Sequence, residues 1–150
     1  MLDLIIKNGQ CHIDGQLKNI DIAIKDGKIE KIGKILEETK DTINAKGLMV
    51  LPGCIDTQTH FREPGSTDTE DLNSGSRAAV VGGITSVFEM PNTNTPTSTK
   101  NEFQKKLDLA KNRMYCNYAF YFGATADNAN DLASLKDLEG CCGIKLFAGS

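Results

Sequence analysis

This sequence of 150 residues is short of several features that would assign it to common classes of protein. It has no evident basic patch, and its net charge of −3 makes nucleic acid an unexpected partner. Its longest apolar runs are only strand-sized, and its first residues lack the basic start and long apolar core of a signal peptide. We therefore expect no membrane partner and take a cytoplasmic location as the default.

The five cysteines form no recognisable framework. Their number is odd, their spacing is irregular and no CxxC pair occurs, so neither a zinc knuckle nor a secreted disulfide pattern can be drawn. We interpret them as small apolar packing residues in a reducing compartment. The adjacent Cys141 and Cys142 leave a vicinal metal clip as an alternative.

Residues 1–50 have the pattern of short β-strands. Polar and apolar residues alternate on both sides of Asp26-Gly27, which is a strong hairpin signal. A further strand pair is expected between residues 42 and 50. The segment is predicted to be a small β meander and a domain of its own.

Residues 51–150 change to a pattern in which strands and helices alternate. After a strand that leads into residues 56–60, strands are predicted at 84–90, 114–122 and 143–147, and helices at 72–81, 99–112 and 127–138. Such alternation is typical of right-handed βαβ units with a parallel sheet. The predicted class is α/β, with about four βα strands.

The stretch from Leu51 to Gly65 carries the most specific chemistry. Side chains alternate along a strand, so Asp56, Gln58, His60 and Arg62 are expected on one face. Imidazole is the commonest protein ligand of divalent metals, and an arginine fork suits a carboxylate. The alternative is that His60 is simply a polar residue at a loop.

Two other predicted strand ends carry polar candidates. Asn92 follows the second strand and could bind a carboxylate or an amide, although Pro91-Asn92 is also typical of an ordinary turn. Lys145 lies inside the apolar fourth strand, so it either points into a polar cavity or marks an exposed edge strand. In a parallel barrel these ends would open on the same face as His60.

These segments resemble a known family. Residues 56–65, D-T-Q-T-H-F-R-E-P-G, are similar to the D-x-H-x-H-F-R-E-P-G signature of dihydroorotases and related cyclic amidohydrolases. Residues 90–93, M-P-N-T, and residues 143–147, G-I-K-L-F, resemble two further elements of that family. The resemblance implies a metal-dependent TIM-type barrel, begun here by residues 51–150 and preceded by a β-sandwich segment, residues 1–50.

The resemblance also implies roles for individual residues. One or two Zn²⁺ ions would be held by His60 and by Lys145 as a carbamate, with Asp56 as a weak or supporting ligand. Gln58 stands where the signature has its first metal-ligand histidine, and an amide oxygen is a poor substitute for imidazole on zinc. Arg62 and Asn92 would bind the substrate. The catalytic aspartate of the family lies on later strands, so no catalytic residue is expected within this chain.

The implied activity is interconversion of L-dihydroorotate and N-carbamoyl-L-aspartate in pyrimidine synthesis. The chain would supply only the N-terminal portion of such an enzyme, because a closed barrel needs about 250 residues. Alternatives are a hydantoinase or allantoinase, a noncatalytic homologue that binds aspartate carbamoyltransferase, and a gene remnant without function. Open edges of half a barrel also predict oligomerisation.

Overall fold

A computed structural model describes residues 1–149, and the chain divides into two compact units at Pro52 and Gly53. The first unit contains seven strands: β1 Leu2–Lys7, β2 Gln10–Ile13, β3 Gln16–Asn19, β4 Asp21–Lys25, β5 Lys28–Gly33, β6 Thr39–Asn44 and β7 Met49–Val50. The second contains four strands and three helical segments: β8 Cys54–Thr59, α1 Leu72–Val81, β9 Ile84–Glu89, α2 Lys100–Ala110, β10 Asn117–Gly123, a 3-10 helix Ala129–Leu135 and β11 Cys141–Lys145.

The strands of the first unit form two sheets, with the orders β5-β4-β1-β6 and β3-β2-β7. In the larger sheet, β1 runs antiparallel to β4 and parallel to β6. Ile5 and Ala23 are cross-strand partners with no exposed surface, and they form a small core with Ile35. This buried pair holds β1 against β4.

The predicted hairpin is confirmed, and it continues into β1 as the predicted meander, with two unpredicted strands, β2 and β3, inserted between β1 and β4. Asp26 and Gly27 adopt positive φ angles of 50° and 72°, as a two-residue hairpin turn requires. However, β1 does not pair with β2, because its two ladders go to β4 and β6. Alternation identifies strands without identifying their partners, which are chosen by the burial of residues such as Ile5.

The four strands of the second unit form one parallel sheet in the order β11-β10-β9-β8. The predicted α/β class and the number of strands are confirmed. The sheet is curled, because the Tyr121 hydroxyl of β10 donates to the Thr57 carbonyl of β8 over 3.3 Å, across the intervening β9. The arrangement is that of the first half of a (β/α) barrel.

Both α-helices begin after a side chain that caps them. Asp71 caps α1 in a reciprocal capping box with Ser74, and Gly83, at a φ of 89°, follows the helix. Thr99 caps α2 by accepting from the Glu102 amide. The helices cover one face of the sheet, and the core there is apolar: Leu72, Val87, Phe103, Ala110, Phe120 and Phe122.

The third predicted helix is wrong in length and type. Residues 127–138 contain only a 3-10 helix, Ala129–Leu135, in which Leu135 alone is buried. The residue at its start, Asn128, does not cap it. Instead, the side-chain nitrogen Nδ2 of Asn128 donates to the carbonyls of Ser98 and Gly123. The side-chain oxygen of Asn128 accepts from the backbone amide of Thr125. A helix without a cap or an apolar stripe has little to stabilise it.

The third and fourth strands are displaced from their predicted bounds by two or three residues. β10 begins at Asn117 rather than at residue 114, because the amide of Met114 bonds to Ala110 and that of Tyr115 to Ser76. β11 runs from Cys141 to Lys145 rather than from residue 143 to 147.

Within residues 1–149, no helix combines the length and the hydropathy that a membrane crossing needs.

Candidate active site at the strand ends

The parallel sheet brings the carboxyl ends of four strands to one edge. β8 ends at Thr59, β9 at Glu89, β10 at Gly123 and β11 at Lys145. The loops that follow β8 and β9 are joined by hydrogen bonds from the Met90 amide to the Thr59 carbonyl, 2.9 Å, and from Asn94 to Pro64, 3.1 Å. These loops carry most of the predicted site residues.

His60 and Asn92 meet at this edge. The imidazole Nδ1 of His60 lies 3.0 Å from the amide oxygen Oδ1 of Asn92. Because an amide oxygen only accepts hydrogen bonds, Nδ1 carries a proton, and in the neutral imidazole Nε2 then keeps a lone pair. A second residue that fixes the tautomer in this way is the usual support of a metal-binding histidine. The structure therefore joins a predicted metal ligand to a predicted substrate ligand.

Arg62 is exposed in the loop after β8, and only its backbone is fixed. Its amide donates to Glu70 and its carbonyl accepts from the Ser66 amide, at 3.3 and 2.9 Å. Among the described residues, no side chain forms an ion pair or a hydrogen bond with its guanidinium. The group is thus available to a carboxylate or carbonyl oxygen of a ligand.

Glu63 also fixes the loop after β8, and its role was not predicted from the sequence. Its carboxylate is buried and accepts from both terminal nitrogens of Arg113, at 2.7 and 3.1 Å. It also accepts from the Leu72 amide at the start of α1, at 3.0 Å. Hydrogen bonding to Glu63 raises the pKa of Arg113. This clamp holds the loop on which Arg62 is exposed.

The predicted common face of Asp56, Gln58, His60 and Arg62 assumes a regular strand, and β8 is irregular over this stretch. β8 and β9 change register between Asp56, which faces Val87, and Thr59, which faces Glu89. Two residues of β8 therefore oppose one of β9, which is a β-bulge and breaks the strict alternation. His60 and Arg62 lie beyond the strand. Asp56 accepts from the Gln58 amide over 2.9 Å, and Gln58 itself is exposed.

Lys145 lies on an edge strand and also points to the concave side of the sheet. Lys145 pairs with Gly123 in the ladder between β10 and β11. Gly123 lies two residues after Tyr121 and therefore on the same face of the sheet, and the Tyr121 hydroxyl reaches across that concave face to β8. The ammonium lies 5.1 Å from the ring centroid of Phe147. Two strands separate Lys145 from His60 in the order of the sheet. A carbamate on Lys145 that shares a metal with His60 stays a prediction.

A buried ion pair beneath the strand ends was not predicted from the sequence. Glu89 and Lys106 expose 0% and 1% of their side chains, and the carboxylate contacts the ammonium. Lys106 also donates to the Met90 carbonyl over 3.3 Å and lies 5.2 Å from the Phe120 ring centroid. It lies on the buried face of α2, one turn after Phe103.

Burial dominates the electrostatics of this pair. It raises the pKa of Glu89 from 4.5 to about 7, although the charges of Lys106 and Arg62 oppose the shift and that of Glu63 adds to it. It lowers the pKa of Lys106, against the attraction of Glu89. Neither carboxylate oxygen has a well-aligned hydrogen-bond donor among the described residues, so contact with the ammonium compensates only part of the desolvation.

The pKa of Glu89 predicts a pH dependence of stability. The folded carboxyl binds its proton more tightly than the unfolded one, so protonation favours folding. This stabilisation is complete below pH 4.5 and is lost as the pH rises through about 7. Relative to Glu89→Gln, the native chain should lose up to about 3 kcal/mol of unfolding free energy across this interval. Urea unfolding at several pH values measures the difference, and parallel profiles would refute it.

Comparison with known proteins assigns the second unit. The sequence profile described as "Amidohydrolase family" matches residues 49–142, more than half of the chain. The chain belongs to the amidohydrolase family.

Curated relatives of this amidohydrolase include an allantoinase of Salmonella choleraesuis (strain SC-B67) and one of Escherichia coli O1:K1 / APEC. Each is 40% identical over 149 residues, which are 99% of this chain and 33% of the relative. The chain thus spans about a third of the length of these proteins.

Solved structures of similar fold include hydantoinases and a dihydropyrimidinase. The L-hydantoinase (dihydropyrimidinase) of Arthrobacter aurescens is 32% identical, with a TM-score of 0.85 over 96% of this chain and 32% of the hydantoinase. The dihydropyrimidinase of Brevibacillus agri NCHU1002 is 29% identical, with a TM-score of 0.77 over 94% of this chain and 32% of that protein. These names agree with the predicted alternative, hydantoinase or allantoinase, better than with dihydroorotase.

Members of the amidohydrolase family are typically metal-dependent, and the described residues fit part of a zinc site. His60 offers Nε2, with its tautomer fixed by Asn92. Across residues 1–149, however, no group of three or more histidine, cysteine, aspartate or glutamate residues is placed to hold a metal. Zinc sites use three or four protein ligands. A complete site would therefore need further donors besides those described.

Proposed function

We propose that this amidohydrolase chain is the N-terminal third of a ring-opening hydrolase for cyclic amides of the allantoin and hydantoin type. The observation that carries the proposal is the contact between His60 and Asn92 at the strand edge, which prepares an imidazole for a metal beside a polar amide. Support also comes from relatives named allantoinase that are 40% identical over nearly the whole chain.

The side chains at this edge suit a substrate rich in carbonyl oxygens. The amide nitrogen of Asn92 remains available to donate, because its oxygen is occupied by His60. The exposed guanidinium of Arg62 offers paired donors to a second oxygen. A bound zinc ion would polarise the scissile carbonyl and lower the pKa of a water molecule. The residues of this chain would orient the ring and hold one metal ligand.

Dihydroorotate is a second candidate substrate. The H-F-R-E-P-G and M-P-N-T elements favour it, because Arg62 and Asn92 would there bind the carboxylate that dihydroorotate carries and hydantoin lacks. The names of the relatives, allantoinase and hydantoinase, favour the ring without a carboxylate. The two substrates must be compared directly.

A noncatalytic role is favoured by one observation. Gln58 replaces an imidazole ligand, and the carboxylate of Asp56 is engaged by the Gln58 amide. A homologue that has lost metal ligands could act as a structural partner, for which aspartate carbamoyltransferase was the candidate from the resemblance. No contact in the described residues supports that partner.

The proposed substrate can be tested by measuring ring opening in a protein whose barrel has been completed. The chain is joined to the C-terminal two thirds of an Escherichia coli allantoinase and is supplied with zinc and bicarbonate. Ring opening of allantoin, hydantoin and L-dihydroorotate is then followed. We expect allantoin or hydantoin to be opened faster than dihydroorotate, whereas the chain without the added part should open none.

The outcomes separate the candidates. If the joined protein opened dihydroorotate faster than allantoin and hydantoin, dihydroorotate would become the proposed substrate. Activity that appears only after Gln58→His would support the noncatalytic interpretation. A folded joined protein that opens no ring with either residue at position 58 would contradict the proposal.

A further inference from the structure

The buried ion pair lies at the strand end that leads to Asn92, because Glu89 is the last residue of β9. Lys106 donates to the carbonyl of Met90, and the amide of the same residue donates to Thr59. Met90 thus links the residue before His60 to the segment that carries Asn92. The ammonium is held in place by Glu89 and by the face of the Phe120 ring.

A purely structural role would not require this chemistry. Replacing a buried ion pair by apolar groups of similar volume is often neutral or stabilising, so such a pair adds little to stability for the cost of its desolvation. Here the ammonium has a directed donor function as well, because it reaches a main-chain carbonyl two residues before Asn92. A methionine at this position would fill the space without making that bond.

We infer that Lys106 is a positioning residue, whose bond to the Met90 carbonyl sets the β9 strand end so that Asn92 holds Nδ1 of His60. The catalytic meaning of this bond rests on the proposed function, because His60 is a metal ligand only there. The geometry itself does not depend on it. Loss of the bond should free the Asn92 amide from His60 while the core remains folded.

The tautomer of His60 reports this contact without any assay of activity. The chain has only two histidines, and the other, His12, is exposed on β2 and serves as an internal reference. Long-range ¹H–¹⁵N spectra are recorded at a pH high enough to keep both imidazoles neutral. In the native chain, we expect His60 to be protonated at Nδ1, unlike His12.

The decisive variant is Lys106→Met, with Lys105→Met as the matched control. Lys105 lies next to it on α2, but it is exposed and pairs only with Glu102. We expect the His60 signal of Lys106→Met to shift toward the Nε2-protonated form shown by His12, and Lys105→Met to keep the native spectrum. A folded Lys106→Met with the native tautomer would overturn the inference.

If Lys106→Met does not fold, the variant Glu89→Gln tests the positioning role of Lys106. The variant keeps Lys106 and replaces the carboxylate by an amide of the same shape, whose oxygen can still accept from the ammonium. We expect it to retain the native His60 tautomer, since the bond to Met90 remains. Loss of that tautomer in folded Glu89→Gln would assign the effect to the carboxylate and overturn the role given to Lys106. A joined protein that opens no ring, with the tautomer changes as expected, would contradict the proposed function alone.

Discussion

Replacing Glu63 by alanine is expected to lower the free energy of unfolding by about 3 kcal/mol. The substitution removes both hydrogen bonds to Arg113 and leaves the Leu72 amide without its acceptor. Arg113 is partly exposed and can be rehydrated, so the loss should fall below that of a fully buried pair. Urea denaturation of the native chain and the variant measures the difference.

The control is Glu102→Ala. Glu102 also pairs with a cation, Lys105, but that pair lies on the surface of α2, and its loss should cost about 0.5 kcal/mol or less. If both variants lost the same small amount, the clamp at Glu63 would contribute no more than an ordinary surface ion pair. Arg62 would then be carried by a loop without the support described.

Restoring histidine at position 58 is expected to increase zinc affinity on the order of 10- to 100-fold. Partners that merely support a ligand already change metal affinity by this factor, and Gln58→His adds a ligand two residues from His60. The bulge after Asp56 gives residue 58 an exposed position at the strand end. Competition with a zinc indicator dye measures the affinity.

Gln104→His is the matched control for that measurement. Gln104 is exposed on α2 and contacts only Asp108, so a histidine there adds an imidazole away from the strand edge. Equal affinities for the two variants would mean that residue 58 does not face the metal held by His60. The bulge in β8 would then place residue 58 outside the metal site of His60.

The elements that the sequence predicted well are those with strong local signals. The Asp26-Gly27 hairpin and the alternation of β8 to β11 with helices both depend on residues close together in the chain. Local chemistry also placed His60 and Asn92 at neighbouring strand ends. The parallel sheet then brought them to 3.0 Å.

The features that were not predicted depend on contacts between distant residues. Glu63 and Arg113 are 50 residues apart, and neither is unusual in its own segment. Lys106 interrupts an apolar face, where a charged residue suggests solvent until its partner, Glu89, is known. The bulge in β8 arises from its register with β9 and cannot be read from alternation within one strand.

The central claim is that the loop after β8 presents a substrate-binding group at the strand edge. Its most direct test is ring opening by the joined protein with Arg62→Ala, compared with Arg77→Ala on the exposed face of α1. We expect Arg62→Ala to lower kcat/KM roughly 10- to 100-fold, the value of a charge-assisted hydrogen bond, and Arg77→Ala to leave it unchanged. Equal rates for the two variants would contradict the placement of the substrate at this edge.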